Sequence, residues 1–366
     1  MNDTNNIGVA VIGCGRIAGH HCDSILQAAE MEMLAVCDLI AEKAKGWGDK
    51  HGIPAYTDYR KMLRDNPGIQ IVAVATPSGM HFEHGREILQ DFGKHLIMEK
   101  PTFMRPQQLI DTYQAADDMG LRVFPVFQNR YNKAVRRVKA AIDNGELGLI
   151  RVVSVRTRWC RSQRYYDMAP WRGTYSHDGG ALTNQGVHHV DLLRHLGGEV
   201  ERVSSVMRTL GAEIEVEDTV TGTFTYGTGA VGNLEVTTAA RPDDYEASLS
   251  IVGSKGLAQI GGIAVNELQV FTPDPSVCEA NSEDFSDCVY GNGHAKMYQD
   301  IASHFGAETP YPVTREDALA TLRLLHAFYR SDEADGAFVE VNSEEQSVRL
   351  GRANEDVSNL YRTPKP

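Results

Sequence analysis

Apolar residues in the first third of the chain fall into short, β-branched blocks. Ile7 to Ile12 is a continuous apolar run, and Met33 to Cys37, Ile69 to Ala75, His95 to Met98 and Leu121 to Phe127 repeat its character. Between these blocks the stretch up to Ala29, then Ile40 to His51, Met80 to Gln90 and Pro106 to Met119 carry helical spacing. Apolar strands separated by single helices predict parallel pairing, with crossover helices covering both faces of the sheet. The expectation is an α/β, doubly wound domain over residues 1–127.

The period changes after Asn129. Asn132 to Asn144 reads as a helix stopped by Gly145. Ile150 to Trp159, Val200 to Thr209, Thr219 to Tyr226, Ala230 to Thr237, Glu246 to Val252, Leu257 to Ile260 and Glu267 to Phe271 show alternation or β-branched enrichment, with Gly and Asp/Asn clusters separating several of them. Three helical patterns join them, at Leu182 to Leu196, Ala295 to Phe305 and Thr314 to Tyr329. This predicts an α+β second domain, residues 128–366, with a largely antiparallel open sheet. The polar stretch from Ser343 reads as a surface arm.

Composition narrows the class of partner. The 366 residues hold 36 Lys+Arg against 49 Asp+Glu, a formal charge of −13. That excess argues against nucleic-acid or anionic-membrane binding, which need a basic field. With 42% hydrophobic and 23% charged residues the chain has ample core material and is not disordered. Six scattered cysteines, at 14, 22, 37, 160, 278 and 288, form no disulfide framework and no C-x-x-C pair. The start, Met1 to Asn6, has no leader pattern, and no apolar run reaches spanning length, so a cytoplasmic protein is expected.

The first strand runs into Gly13-Cys14-Gly15-Arg16-Ile17-Ala18 and then a helix. Gly13 permits the tight turn, Gly15 lets backbone approach a pyrophosphate, and Ala18 lets helix and strand pack closely, the helix N-terminus facing the phosphates. Asp38 ends the next strand, where a carboxylate accepts hydrogen bonds from an adenine ribose and repels a 2′-phosphate, which favours NAD over NADP. Arg16 is placed to reach a phosphate. Thr76-Pro77-Ser78 and Glu99-Lys100-Pro101 follow later strands, at the carboxyl ends where open α/β sheets bind ligands.

Asn184, His188 and Asp191 stand at i, i+4 and i+7, one stripe if Leu182 to Leu196 is a single helix. An imidazole there can take a proton from a substrate hydroxyl while Asp191 or Asn184 orients it. Adjacent His188 and His189 point about 100° apart on a helix, and no cluster has zinc spacing, so no metal is expected.

Taken together, Gly13-Cys-Gly-Arg-Ile-Ala, Ala75-Thr-Pro-Ser-Gly-Met-His81, Glu99-Lys-Pro101 and Gly179-Gly-Ala-Leu-Thr-Asn-Gln-Gly-Val-His-His-Val-Asp191 make the chain resemble the Gfo/Idh/MocA family of sugar and cyclitol oxidoreductases. The resemblance implies a Rossmann domain holding NAD, with Ile17, Thr76, Pro77, His81 and Glu99 at the cofactor. It also implies Lys100 near the nicotinamide and His188 as proton acceptor or donor. Asn184 departs from the aspartate of inositol-type members; an amide cannot ionise. The stretch Gln163-Arg-Tyr-Tyr-Asp-Met-Ala-Pro-Trp-Arg-Gly-Thr174 is similar to the branch that oxidises UDP-N-acetylglucosaminuronic acid at its 3-hydroxyl. Charge agrees with that branch. Arg156, Arg158, Arg161, Arg164 and Arg172 put five guanidinium groups in an acidic chain, suited to a pyrophosphate and a carboxylate. Tyr165, Tyr166 and Trp171 offer faces for uracil or sugar. From the resemblance follow a dimer or tetramer, 2-oxoglutarate as an external oxidant, and a role in surface polysaccharide. A free-sugar or cyclitol dehydrogenase and a non-catalytic NAD-binding regulator remain open.

Overall fold

A computed structural model of the chain describes residues 6–285, 290–307 and 310–363. Met1 to Asn5 and Cys288 lie outside the described residues.

Six strands form the first sheet: β1 (Ile7–Ile12), β2 (Met31–Cys37), β3 (Ala55–Tyr56), β4 (Ile69–Val74), β5 (His95–Met98) and β6 (Val123–Pro125). They pair in parallel in the order β3-β2-β1-β4-β5-β6. The order reverses at β1 and β4, so the crevice at their carboxyl ends is the natural ligand site of the sheet. Every residue of β1 is buried, as a strand covered on both faces requires. β3 and the helix Tyr59–Asp65 were not legible in the sequence. A two-residue strand carries no period, and the helix is short and started by Asp58, whose carboxylate accepts the Arg60 N–H.

The second sheet has eight strands: β7 (Ile150–Arg158), β8 (Val200–Arg208), β9 (Thr219–Tyr226), β10 (Val231–Thr237), β11 (Glu246–Gly253), β12 (Leu257–Gly261), β13 (Glu267–Phe271) and β14 (Val339–Glu340). Their order is β13-β12-β11-β7-β10-β9-β8-β14, and only β7 and β10 pair in parallel. Along β7, Val153, Val155 and Thr157 are buried beneath the helix Val187–Gly197, whereas Ser154, Arg156 and Arg158 face the other side.

The chain forms two compact units, Met1–Val126 with His294–Leu319 and Ala353–Pro366, and Phe127–Gly293 with Ala320–Arg352. The sequence reading placed all of 128–366 in the second domain; the structure gives 294–319 and 353–366 to the first. Local periodicity cannot show which sheet a late helix returns to. Nor is the stretch from Ser343 a loose arm. Leu350 and Ser347 are fully buried, and Arg349 pairs with Asp332 at 2.7 Å.

Candidate active site

In the first unit the glycine turn ends β1 with Gly13 at φ +92°, and a Cβ there would stand 2.4 Å from the carbonyl oxygen of Ala75. Only glycine lets the loops after β1 and β4 close on each other. Gly15 is exposed, and a Cβ on it would meet nothing within 4 Å, an open face for a ligand's phosphates. The helix Ala18–Gln27 behind it has no side-chain N-cap, so no capping oxygen offsets the positive end of its dipole, while its Ala18 and His20 N–H groups bond the Gly15 and Ile17 carbonyls at 3.2 and 3.0 Å. Arg16 is exposed and Ile17 half-buried beside them. Asp38 accepts the Cys14 and Ile40 N–H groups, each at 2.8 Å, bracing the loop while a carboxylate's further lone pairs remain for a ribose. These residues fit a dinucleotide.

Two expected cofactor contacts have other occupations. His81 is buried, and its ring nitrogens lie 3.0 Å from the carbonyl oxygens of Pro101 and Thr76, tying together the loops after β4 and β5. Desolvation pushes its pKa down, and a neutral ring donates to one of these two carbonyls only. Glu99 is also buried and meets His21 at 3.1 Å. Thr76 offers its hydroxyl to His84 at 3.1 Å, and Pro77 is half-buried beside it. Lys100 follows at the end of β5, ahead of a cis bond to Pro101. Burial pushes the Cys14 and Cys22 thiols up to about 12, so they are inert.

In the second unit the expected helix from Leu182 is two pieces. Ala181–Gln185 is a π-helical turn closed by the Gly186 N–H on the Ala181 carbonyl at 2.8 Å, and Val187–Gly197 is regular α-helix. The wider turn changes the register, so Asn184 no longer falls on the His188–Asp191 stripe by simple helical spacing. Asn184 donates its amide N–H to Asp178, which also accepts the Gly173 N–H at 2.7 Å. Asp191 does not hold the imidazole by a direct hydrogen bond. Among the described residues its carboxylate takes a bidentate pair from Arg130, at 2.7 and 2.6 Å, and the Thr321 hydroxyl at 3.1 Å. Arg130 lies 5.6 Å over the Phe127 ring, and Phe127 meets His188 edge-on at 6.4 Å. Arg130 escaped the sequence reading because no periodic pattern marks a short 3-10 turn.

Glu217 is buried beneath the π turn. Its carboxylate accepts the Leu182 N–H at 3.1 Å and lies 2.7 Å from the Tyr329 hydroxyl, which also contacts the Gly179 carbonyl. One hydroxyl proton cannot serve both acceptors, so a protonated Glu217 that donates to Tyr329 completes the chain. Burial agrees, pushing the Glu217 carboxyl up to about 8.

The arginine stretch divides. Arg158 forms a bidentate pair with Glu235, at 2.6 and 2.9 Å, on the outer face of the sheet, where Arg156 faces the same acid and Glu246. These two belong to a sheet-surface ion network rather than a substrate site. Tyr166 is core, its hydroxyl 3.0 Å from Thr238. Arg164 is exposed on the short helix Gln163–Tyr166. The others gather. Arg172 lies 4.2 Å over Tyr165 and 4.6 Å over Trp171, Arg161 lies 5.6 Å over Tyr165, and the Gln185 amide donates to the Tyr165 hydroxyl at 2.9 Å. The cluster is thus tied to the π turn that carries Asn184. The buried Nε of Arg172 has no hydrogen-bond partner among the described residues.

Residues 7–127 match the family model described as oxidoreductase family, NAD-binding Rossmann fold, and residues 135–259 match the GFO/IDH/MocA C-terminal domain. The crystal structure of the WlbA dehydrogenase from Bordetella pertussis, in complex with NADH and UDP-GlcNAcA, is 34% identical. The match covers 93% of this chain and 99% of that one, with TM-score 0.87. The WlbA dehydrogenase from Chromobacterium violaceum, with the same two ligands, is 35% identical over 94% of this chain and 98% of its own, TM-score 0.84. Levoglucosan dehydrogenase of Pseudarthrobacter phenanthrenivorans is 28% identical, covering 64% of this chain and 65% of that protein. No helix among the described residues is long and apolar enough to cross a membrane.

Proposed function

Since the chain belongs to the Gfo/Idh/MocA family of NAD-dependent oxidoreductases, we propose that it oxidises the 3-hydroxyl of UDP-N-acetylglucosaminuronic acid to a ketone. The observation that carries this choice of substrate is the half-buried Arg172 guanidinium, held over Tyr165 and Trp171 with Arg161 beside the same Tyr165 ring. A guanidinium held against aromatic faces keeps its charge for a phosphate or carboxylate oxygen. A free polyol offers no such anion. Likeness to two WlbA proteins crystallised with UDP-GlcNAcA supports the same choice.

When bound, NAD supplies the hydride acceptor. Gly13, Gly15 and the N-terminus of the helix Ala18–Gln27 would hold its phosphates, and Asp38 its ribose. His188 takes the hydroxyl proton as the ketone forms. Asn184, anchored by Asp178, orients the sugar, and the Arg130–Asp191 pair steadies the helix that bears His188. Lys100, just past the end of β5, would place its ammonium near the reacting end of the cofactor.

The near-ultraviolet absorbance of NADH tests this in the purified protein with NAD. UDP-N-acetylglucosaminuronic acid alone should reduce it, among that sugar, inositol, glucose and levoglucosan. Reduction by a free sugar and not by the nucleotide sugar overturns the substrate and leaves the dehydrogenase. Arg172→Ala should raise KM for the nucleotide sugar at least tenfold, about 1.4 kcal/mol, with NADH affinity unchanged.

A further inference from the structure

Below the carboxyl end of β5, three side chains from distant parts of the first unit's sequence meet out of water. Glu99 directly follows β5, His21 sits within the helix Ala18–Gln27, and His294 lies at the start of the helix Gly293–Ala307. They are 5%, 0% and 1% exposed. Oε1 of Glu99 lies 3.1 Å from Nε2 of His21 and 3.6 Å from Nε2 of His294. The other carboxylate oxygen accepts the backbone N–H of Lys100 at 3.0 Å. Nδ1 of His21 lies 2.7 Å from the hydroxyl of Tyr298, which is also fully buried. His20 stacks on His294 at 5.6 Å and closes the cluster.

The polarity of this chain can be derived. Burial alone would raise the Glu99 carboxyl, but the hydrogen bond from His21 and the neighbouring His294 ring outweigh it and hold the group well below its ordinary 4.5. Glu99 is therefore an anion and accepts on both oxygens. His21 donates from Nε2, which leaves Nδ1 to accept the Tyr298 O–H. Turning the Lys100 peptide away would leave a buried carboxylate oxygen unmatched, a costly state.

We propose that His21, fixed by Tyr298, is a positioning residue: through Glu99 it locks the backbone of Lys100, and so the direction in which the lysine side chain leaves the strand end. This deepens the function proposed above and rests on it, since it needs Lys100 to act in turnover. The three donors of His21, Glu99 and His294 lie within 4.8 Å of one another and are metal-ligand types. Both nitrogens of His21 are already engaged, whereas neither ring nitrogen of His294 has a hydrogen-bond partner among the described residues, so the metal content is measured beside turnover.

His21→Leu keeps the volume and removes the donor; His21→Gln restores an N–H near the Nε2 position. Turnover would be measured with UDP-N-acetylglucosaminuronic acid and NAD, or with levoglucosan should that be the sugar that turns over, beside NADH binding by fluorescence and zinc content. The expected result is a kcat reduced by up to roughly 100-fold in His21→Leu, with KM and NADH affinity near the parent's and most of kcat regained in His21→Gln. Equal losses in both variants, an unaltered kcat in His21→Leu, or a stoichiometric metal whose removal abolishes turnover would overturn it. Should His21→Leu fail to fold, Tyr298→Phe removes only the hydroxyl and should lower kcat in the same direction by less; an unchanged kcat there counts against the proposal. Lys100→Met separates the two readings. If it keeps full turnover, the role of Lys100 falls, and this proposal with it. If it is inactive while His21→Leu is normal, only the positioning role falls.

Discussion

His188 and His189 are neighbours with opposite fates. His189 is fully enclosed, meets Trp159 edge-on at 5.6 Å, and is pushed down to about 4 by desolvation, so it is a neutral core ring. His188 is 6% exposed and stands on the helix steadied by the Arg130–Asp191 pair. His188→Ala should therefore lower kcat by roughly 10²–10⁴-fold while NADH binding, read by fluorescence, stays intact; loss of cofactor binding would mark the ring as structural. Asp191 behaves differently. Both members of its pair are buried, and removing one charge strands the other at a cost of about 3–5 kcal/mol. Asp191→Asn should thus lower the melting temperature by many degrees, and a variant as stable as the parent would show that Arg130 finds another partner.

At the scale of elements, the π turn gathers most of the second unit's chemistry, and it is one of the elements the sequence reading missed. Apolar spacing through Leu182 to Leu196 is continuous, so periodicity alone draws one helix; the break comes from tertiary partners. Gly180 sits at φ +89°, and a Cβ there would fall 2.2 Å from Glu217, so the carboxyl and the glycine loop define each other. No local signal ties residue 180 to residue 217. By contrast, the placement of the glycine turn, Asp38, Thr76 and Lys100 after the carboxyl ends of parallel strands was legible, because β-branched apolar blocks mark where such strands stop. Arg156 and Arg158 were misread because alternation along β7 cannot say which face meets solvent. Glu217 carries a pH prediction. Its folded pKa of about 8 is above the ordinary 4.5, so the native state binds the extra proton. The resulting stability is fully present below about 4.5 and is lost as pH rises through about 8, at up to roughly 1.4 kcal/mol per pH unit. The nearby Arg349 guanidinium works against it by favouring the anion. Glu217→Gln, permanently neutral, should flatten the fall of melting temperature across that window; an unchanged slope would place the titration elsewhere.

At the scale of the whole molecule, the return of residues 294–319 to the first unit decides what can fold alone. Sequence pattern suggests a self-sufficient cofactor domain ending near residue 127, the boundary the family model also uses. The structure completes that unit with later chain. Tyr298 is buried on His21, Phe305 lies 4.8 Å from the His95 ring, and Tyr311 packs edge-on against Phe124 at 5.2 Å while its hydroxyl donates to the Pro125 carbonyl at 3.1 Å. Three aromatic side chains at roughly 1.5–3 kcal/mol each approach a domain's entire margin, about 5–15 kcal/mol. Their loss would also expose the ends of β5 and β6, which no other described strand covers beyond β6. A fragment of residues 1–127 should therefore show no cooperative thermal melt by circular dichroism and no NADH fluorescence enhancement. Rejoining residues 294–319 through a flexible Gly/Ser linker should restore both. If the short fragment melts cooperatively and binds NADH unaided, the late helix is an addition to the cofactor unit rather than part of its core.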